Sequence, residues 1–279
     1  MKKNLLHLNA AVTRPDSLIN LAEAALLFAQ SEYPELRVDT YLSRLDEMAA
    51  VVKKRLVPGA SLASAIFELN RFLFEEQGFA GNIDEYYDPR NSFLNEVLER
   101  KTGIPISLSM IYIEIGQRIG LPLTGVLFPG HFLVKLSIEG GDIVLDPFSG
   151  GRSLSERDLL SHLSNLIDFR PSEPIDLTRL LTSARKRDVL SRMLRNLKAI
   201  YVKSEEYLKA LNVIQHMLVV NPNDLQELRD RGFVFDKLEC HKAASEDYKR
   251  YLALAPHGPD REYLRERLLE VEKAKKRLH

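Results

Sequence analysis

A period of 34 residues in the last third of the chain constrains the fold more than any other feature of the sequence. Similar residues recur at this spacing between positions 191 and 258: Tyr201 and Phe235, Ala210 and Ala244, Leu218 and Leu252, Pro222 and Pro256. A repeat of this length holds two antiparallel helices, in which small alanines allow close approach and a proline ends the second helix. Each helix pair must bury its apolar face against a neighbour, so the period predicts a stack of helical hairpins.

This pattern resembles the tetratricopeptide repeat. It shares a large residue at position 4, an aromatic at 11, alanine at 20, proline at 32 and, in the second copy, Gly232 at position 8. Lys198 stands at the glycine position of the first copy, and residues 260–275 are the expected capping helix. Because two repeats are fewer than the three normally needed for independent stability, we expect the array to dock on the N-terminal part of the chain.

Residues 16–119 are predicted to be mostly helical. Apolar residues recur at helical spacing in six stretches, the last of them beyond this region: 17–33, 39–56, 61–77, 91–103, 107–120 and 155–167. Ser17, Asp39 or Thr40, and Asn91 are the expected N-caps, because their side-chain oxygens can accept from the free N–H groups of a first turn.

Residues 121–148 change to the alternating pattern of β-strands and predict two or three antiparallel strands. His131 opens one strand, Glu139-Gly140-Gly141 supplies a turn, and Asp146 closes the returning strand. The hairpin should bring His131 and Asp146 within a residue or two of facing each other. In hydrolases, a carboxylate placed in this way orients an imidazole that serves a nucleophile.

The segments GIPISLSMIYIEIGQRIGLPL, FPGHFLVKL and IVLDPF resemble the transglutaminase core, in which a nucleophile-bearing helix precedes a histidine in a strand and an Asp-Pro. With the helices before them and the repeats after them, nearly the whole chain resembles the SirB-type bacterial family of transglutaminase-like proteins with tetratricopeptide repeats. The resemblance implies an α+β, mainly helical fold. A transglutaminase-like (papain-like) domain with a small antiparallel sheet would be followed by tetratricopeptide-repeat helical hairpins.

The expected domain limits are 1–167 for the transglutaminase-like domain, 168–187 for a linker and 188–279 for the repeats. The linker is placed where two prolines interrupt any helical period.

The position at which transglutaminases hold cysteine falls on Ser107 or Ser109. The single cysteine, Cys240, lies at the start of the second helix of the second repeat, where we expect it in the core, so thiol catalysis of the family type is excluded. Two alternatives remain for Ser107. It is either the nucleophile of a triad with His131 and Asp146, with helix N–H groups as oxyanion hole, or simply the N-cap of its helix.

His131 and Asp146 have structural alternatives of their own. His131 is either a binding-site residue or a histidine simply held by the aspartate, and Asp146 can cap the turn at Pro147.

Three arginines suggest a peptide-binding groove. Arg195 and Arg229 occupy the same position of successive repeats, on the helix expected to line the concave face, and Arg192 lies one turn earlier. Guanidinium groups suit the carboxylates of an acidic peptide, and the alternative is pairing with the acidic remainder of the chain. Of the 39 basic and 39 acidic residues, 21 and 15 fall in 181–279, which leaves 18 and 24 elsewhere.

Composition excludes several functional classes. No apolar run is long enough for a membrane span, no strong basic excess indicates nucleic-acid binding, and no motif predicts a metal or a cofactor. One cysteine and no signal peptide indicate a cytoplasmic protein.

We expect a non-catalytic scaffold or regulatory protein that binds a protein or peptide partner. The alternatives are a serine-dependent hydrolase or acyl transferase using Ser107, His131 and Asp146, and a regulator of gene expression acting through protein partners.

Overall fold

The computed structural model describes residues 2–166, 175–255 and 257–277. The chain divides into two compact units: a core unit, Ala10–Met193, and a repeat unit, Met1–Asn9 with Leu194–His279. Pro256 and the first part of the predicted linker, 168–174, lie outside the described residues, and 175–187 belong to the core unit. In the described ranges, no helix is long and apolar enough to cross a membrane.

The first part of the chain is mostly helical, as the periodicity of residues 16–119 predicts, and α1 is a further helix ahead of that region. The helices are α1 (Lys2–Val12), α2 (Leu21–Ala29), α3 (Val38–Arg55), α4 (Leu62–Asn70), α5 (Leu94–Arg100) and α6 (Pro105–Arg118). α6 is buried along its length from Pro105 to Gly116 and packs against α2, α3, α4 and α5. A helix that is apolar on all sides belongs in a core, and the core unit is built around this one.

The first two predicted N-caps differ from the observed helix starts, as does the third, Asn91, described with the candidate site. Asn20 caps α2 by accepting from the N–H of Glu23, because a 3₁₀ turn at Asp16–Leu18 takes Ser17 out of the helix. α3 begins after Arg37, ahead of either predicted cap, and has no side-chain cap.

The strands form two small sheets. β1 (Ala80–Gly81) and β2 (Thr102–Gly103) are parallel. β3 (Leu123–Val126), β4 (Leu133–Ile138), β5 (Gly141–Asp146) and β6 (Arg152–Ser153) form an antiparallel sheet in that order. The β4–β5 turn is tight, and Gly140 has a φ of 96°, which favours glycine. The predicted hairpin is therefore present, with a short additional strand.

Helices α7 (Glu156–Ser164) and α8 (Leu177–Leu180) follow the sheet. Leu159 and Leu163 of α7 form an apolar cluster with Phe128 and with the sheet residues Leu133 and Val144. The end of β4 that follows His131 is thus packed against α7.

The repeat region consists of antiparallel-packed helices: α9 (Lys186–Lys203), α10 (Tyr207–Val220), α11 (Leu225–Lys237), α12 (His241–Leu254) and α13 (Arg261–Arg277). Consecutive helices from α10 to α13 pack on each other. Ala210 and Ala244 are completely buried, as close helix contacts require. A Cβ built at Gly232 would lie 2.7 Å from the ring of Tyr248, which explains why this position holds glycine.

The expectation that Cys240 lies in the core is wrong. Cys240 is exposed and occupies the N-cap of α12. Glu239 before it has a φ of 57°, so the chain reverses there and Cys240 lies outside the helix-packed interior.

We predict that Gly232→Ala lowers the free energy of unfolding by about 1–3 kcal/mol, because the added methyl overlaps the Tyr248 ring. The gain in helix propensity, about 1 kcal/mol, offsets only part of this cost. Urea unfolding followed by circular dichroism measures the change. Lys242→Ala, on an exposed position of α12, is the control and should stay within about 0.5 kcal/mol of wild type. Equal stability of Gly232→Ala and wild type would contradict the packing argument.

Candidate functional site

His131 and Asp146 meet at the open end of the β4–β5 hairpin. Val134 pairs with Leu145, so the next position of the register sets Leu133 opposite Asp146, two residues from His131. Nε2 of His131 lies 3.0 Å from Oδ1 of Asp146, and both side chains are largely buried. The hairpin thus joins the histidine and aspartate of the predicted triad.

Asp146 is held as a carboxylate. Burial raises the pKa of its carboxyl, but His131, the Ser149 hydroxyl and the Phe148 N–H together hold the pKa below its ordinary value. The Ser149 hydroxyl donates to Oδ2 at 2.7 Å and the Phe148 N–H to Oδ1 at 3.0 Å. An ionised carboxylate accepts, so Nε2 of His131 donates, which fixes the orientation of the imidazole.

A second histidine, His162 of α7, lies beside the first, and sequence reasoning missed it. The two ring centroids are 5.1 Å apart. Burial lowers the pKa of His162, and the neighbouring His131 lowers it further. Within the described residues, its Nε2 is buried without a hydrogen-bond partner. The available signal was its position between Leu159 and Leu163 on the apolar side of an amphipathic helix.

A cavity of about 250 Å³ is lined by these residues. Its polar walls include His131, His162, Asp146, Ser149, Arg152, Asp158, Ser161 and Asn165. Two of these carboxylates have partners, since Asp146 is hydrogen-bonded to His131 and Asp158 lies 3.5 Å from Arg152. Within the described ranges, no group of three or more His, Cys, Asp or Glu side chains is placed to bind a metal ion.

Ser107 lies in the first turn of α6 and its hydroxyl is engaged in structure. It donates to the Asn91 carbonyl at 2.6 Å and accepts from the Ile104 N–H at 3.1 Å. The residue is almost completely buried. Ser107 is not the N-cap of α6 that the structural alternative expected: Ile104 is the N-cap, and Ser107 is the third helical residue, whose hydroxyl bonds back to the Ile104 N–H.

Neither serine reaches the histidine. Ser109 is fully buried and its Oγ has no hydrogen-bond partner. Among the residues described, neither Ser107 nor Ser109 is hydrogen-bonded to His131, and neither lines the cavity. The structure therefore brings His131 and Asp146 together, and it leaves both predicted serines out of the cavity that these two residues line.

Asn91 organises the loop that precedes α5 and does not cap that helix as expected. α5 begins after Phe93, and Asn91 lies buried in a 3₁₀ turn. Its Nδ2 donates to the carbonyls of Glu85 and Tyr86 at 2.7 and 3.3 Å, and its Oδ1 accepts from Asn82 at 3.1 Å. One buried amide thus fixes the main chain of residues 82–88.

Two of the three predicted groove arginines, Arg195 and Arg229, have carboxylate partners. Arg195 lies 3.3 Å from Asp224, and Arg229 bonds to Asp260; all four belong to the repeat unit. Arg192 belongs to the core unit.

A groove of about 440 Å³ lies in the repeat unit and is lined mainly from α9, α11 and α13. Its walls include Ala199, Val202, Phe233, Tyr263 and Leu264. Lys198, the departure from the repeat pattern, also lines it and contacts Glu227 and Asp230 at 2.6 Å each. The sequence pattern missed Phe233 and Tyr263, which are not consensus positions of the repeat.

Comparison with known proteins matches both parts of the chain. Residues 39–195 match the transglutaminase-like superfamily, and residues 197–269 match the tetratricopeptide repeat. A UPF0162 protein of Xylella fastidiosa (strain Temecula1) is 36% identical over 271 residues, 97% of this chain and 96% of that protein. A UPF0162 protein of Vibrio cholerae is 32% identical, covering 88% and 90% of the two chains, and UPF0162 protein YchA of Escherichia coli (strain K12) is 27% identical, covering 90% and 92%. No solved structure matches.

We predict that Ser107→Ala lowers the free energy of unfolding by about 1–3 kcal/mol, because the Asn91 carbonyl and the Ile104 N–H lose a buried partner. Ser161→Ala, which removes an exposed hydroxyl, is the matched control and should leave the free energy of unfolding nearly unchanged.

Because the Ser107 hydroxyl is buried and hydrogen-bonded, a fluorophosphonate probe should not label the wild-type protein. Labelling of Ser107 that disappears in His131→Ala would show that the hydroxyl is a nucleophile after all.

We predict that His162 titrates below its ordinary pKa of 6.5, because burial and His131 oppose its protonation. The folded protein then binds fewer protons at this site than the unfolded chain, so its contribution to stability falls as the pH drops below about 6.5. His131→Gln removes one cause and should move the NMR titration midpoint of His162 upward. His257→Gln is the control and should leave it unchanged. An unmoved midpoint in His131→Gln would rule out an electrostatic contact between the rings.

Proposed function

Because the chain belongs to the transglutaminase-like superfamily and to the UPF0162 family of bacterial proteins, we propose that it is a non-catalytic scaffold that binds a protein partner through its tetratricopeptide repeats. The groove in the repeat unit carries this proposal, since stacked helical repeats present such concave surfaces to their ligands. The SirB-type assignment and a cytoplasmic location are part of the same proposal.

The lining of the groove supports a partner with an apolar or aromatic anchor. Tyr263 is 56% exposed, and Ala199 is exposed beside the half-buried Val202 and Phe233. Such surfaces gain binding energy when a partner side chain displaces water from them.

The charges around the groove support the same choice. Lys198 contacts Glu227 and Asp230, and Arg229 bonds to Asp260. Because these cations already have carboxylate partners, an acidic peptide would have to displace them. In this proposal the repeat arginines hold the walls of the groove, and an apolar anchor supplies the affinity.

The buried serines support a scaffold over a hydrolase. The hydroxyl of Ser107 is committed to the Asn91 carbonyl, and Ser109 is sealed in the core. His131 and Asp146 then serve as a hydrogen-bonded clasp between β5 and the loop before β4.

We predict that Ala199→Glu weakens peptide binding by at least about tenfold, because it places a charge in the apolar groove. Random dodecapeptides displayed on phage are selected on the full chain, with soluble Ala199→Glu protein as competitor. We expect enriched peptides to share an aromatic or large aliphatic residue. Fluorescence anisotropy then compares their Kd for wild type, Ala199→Glu and Tyr263→Ser.

Leu208→Glu is the matched control, since Leu208 is an exposed apolar residue of α10 outside the groove. Its Kd should equal that of wild type. Peptides that bind Ala199→Glu and Leu208→Glu proteins with the same Kd would contradict the groove as the binding surface.

A further inference from the structure

Residues 83–87 of the core unit form an exposed loop that combines apolar and acidic side chains; we name it the acidic–aromatic loop. Ile83 is 78% exposed, Tyr87 69% and Tyr86 37%. Asp84 and Glu85 lie between them and are exposed. Large apolar side chains clustered at such exposure typically mark interaction surfaces.

The two carboxylates of this loop have no cation of their own. In the described part of the chain, neither Asp84 nor Glu85 forms an ion pair, whereas the neighbouring Asp88 contacts Arg90 at 2.7 Å. Arg90 interacts electrostatically with Glu85, but its hydrogen bonds go to Asp88. The loop therefore carries two carboxylates outside the described ion pairs beside two tyrosine rings, and the nearby cations are Arg90, which acts on Glu85, and Arg192, which acts on Tyr86.

Hydrogen bonds and a ring contact within the chain hold the loop in place. The buried Asn91 amide donates to the carbonyls of Glu85 and Tyr86, and the Asn82 side chain accepts from the Glu85 N–H at 2.9 Å. The Tyr86 ring meets the ring of Phe148 edge-on, with centroids 6.3 Å apart. A surface already fixed in this way loses little conformational entropy on binding.

We propose that the acidic–aromatic loop is a docking surface for an arginine-bearing segment of a partner protein. A guanidinium group can make both kinds of contact that the loop offers. It donates two parallel hydrogen bonds to a carboxylate, and it stacks on aromatic faces. Ile83 adds an apolar contact for the segment's other side chains. Acidic segments and nucleic acids are disfavoured by repulsion from Asp84 and Glu85.

This surface goes beyond the proposed groove, because it belongs to the core unit and differs in chemistry. The groove supports an apolar anchor, and the loop supports a cationic one. A loss of binding at one of them leaves the other to be tested independently.

The test uses the full chain and a fluorescein-labelled peptide of sequence Gly-Arg-Leu-Arg-Gly-Arg-Leu-Arg-Gly, measured by fluorescence anisotropy at about 0.15 M salt, where long-range attraction is screened. Asp84→Asn with Glu85→Gln should raise the Kd about tenfold, and Tyr87→Ala several-fold. A peptide with lysine at every arginine position should bind wild type several-fold more weakly.

Glu47→Gln with Glu139→Gln is the matched control, because it removes the same charge from exposed positions outside the loop. Its Kd should stay within about twofold of wild type. An equal loss in both double variants, or no binding of the arginine peptide to wild type, would overturn the proposal. Thermal melts check the folding of each variant. If Asp84→Asn with Glu85→Gln melts at a lower temperature than wild type, the Kd of the Tyr87→Ala variant decides whether the loop binds the peptide.

Sedimentation velocity distinguishes a second copy of the chain as the occupant. The proposal requires that Ile83→Ser with Tyr87→Ser has the same mass in solution as wild type. A dimeric wild type and a monomeric double variant would assign the loop to self-association and overturn the proposal.

Discussion

The hydrogen bond from the Ser107 hydroxyl to the Asn91 carbonyl joins the central helix α6 to the turn before α5, and through Asn91 it connects that helix to the loop at 82–86. Buried polar groups need hydrogen-bond partners. Here the Ser107 hydroxyl and the Asn91 side-chain amide together serve several main-chain groups. Asn91 in turn holds the 82–88 loop, which continues into the β1–β2 pair through the bond from the Asn82 N–H to the Gly103 carbonyl. The Ser107 hydroxyl thus links two elements of the fold through its hydrogen bonds.

The features that sequence predicted are those set by local pattern. Helices α2 to α6 follow from apolar periodicity, and the repeats from their spacing. His131 and Asp146 meet because a tight hairpin joins them. The partners of Ser107 and the position of His162 were not predictable, since each depends on how distant elements pack. The cap of α2 was misassigned because Ser17 and Asn20 are both good caps, and only the intervening turn decides between them.

The repeat unit shows how a departure from a family pattern can be accommodated. Lys198 replaces the small residue that lets helices approach, and its ammonium group instead bridges α9 to Glu227 and Asp230 of α11. Arg231 and Asp247 link α11 to α12 in the same way at 2.7 Å. Ion pairs therefore join α9 to α11 and α11 to α12 within the repeat unit.

The burial of α6 has a consequence for synthesis of the chain on the ribosome. The helix packs against β3 and β4 as well as against α2 to α5, so it cannot be covered until the strands after it have emerged. At about 5–20 residues per second, the nascent chain exposes this apolar helix for a few seconds before its last neighbours are translated. Rare codons between α6 and β5 would prolong that interval, and holding chaperones would find their main target there.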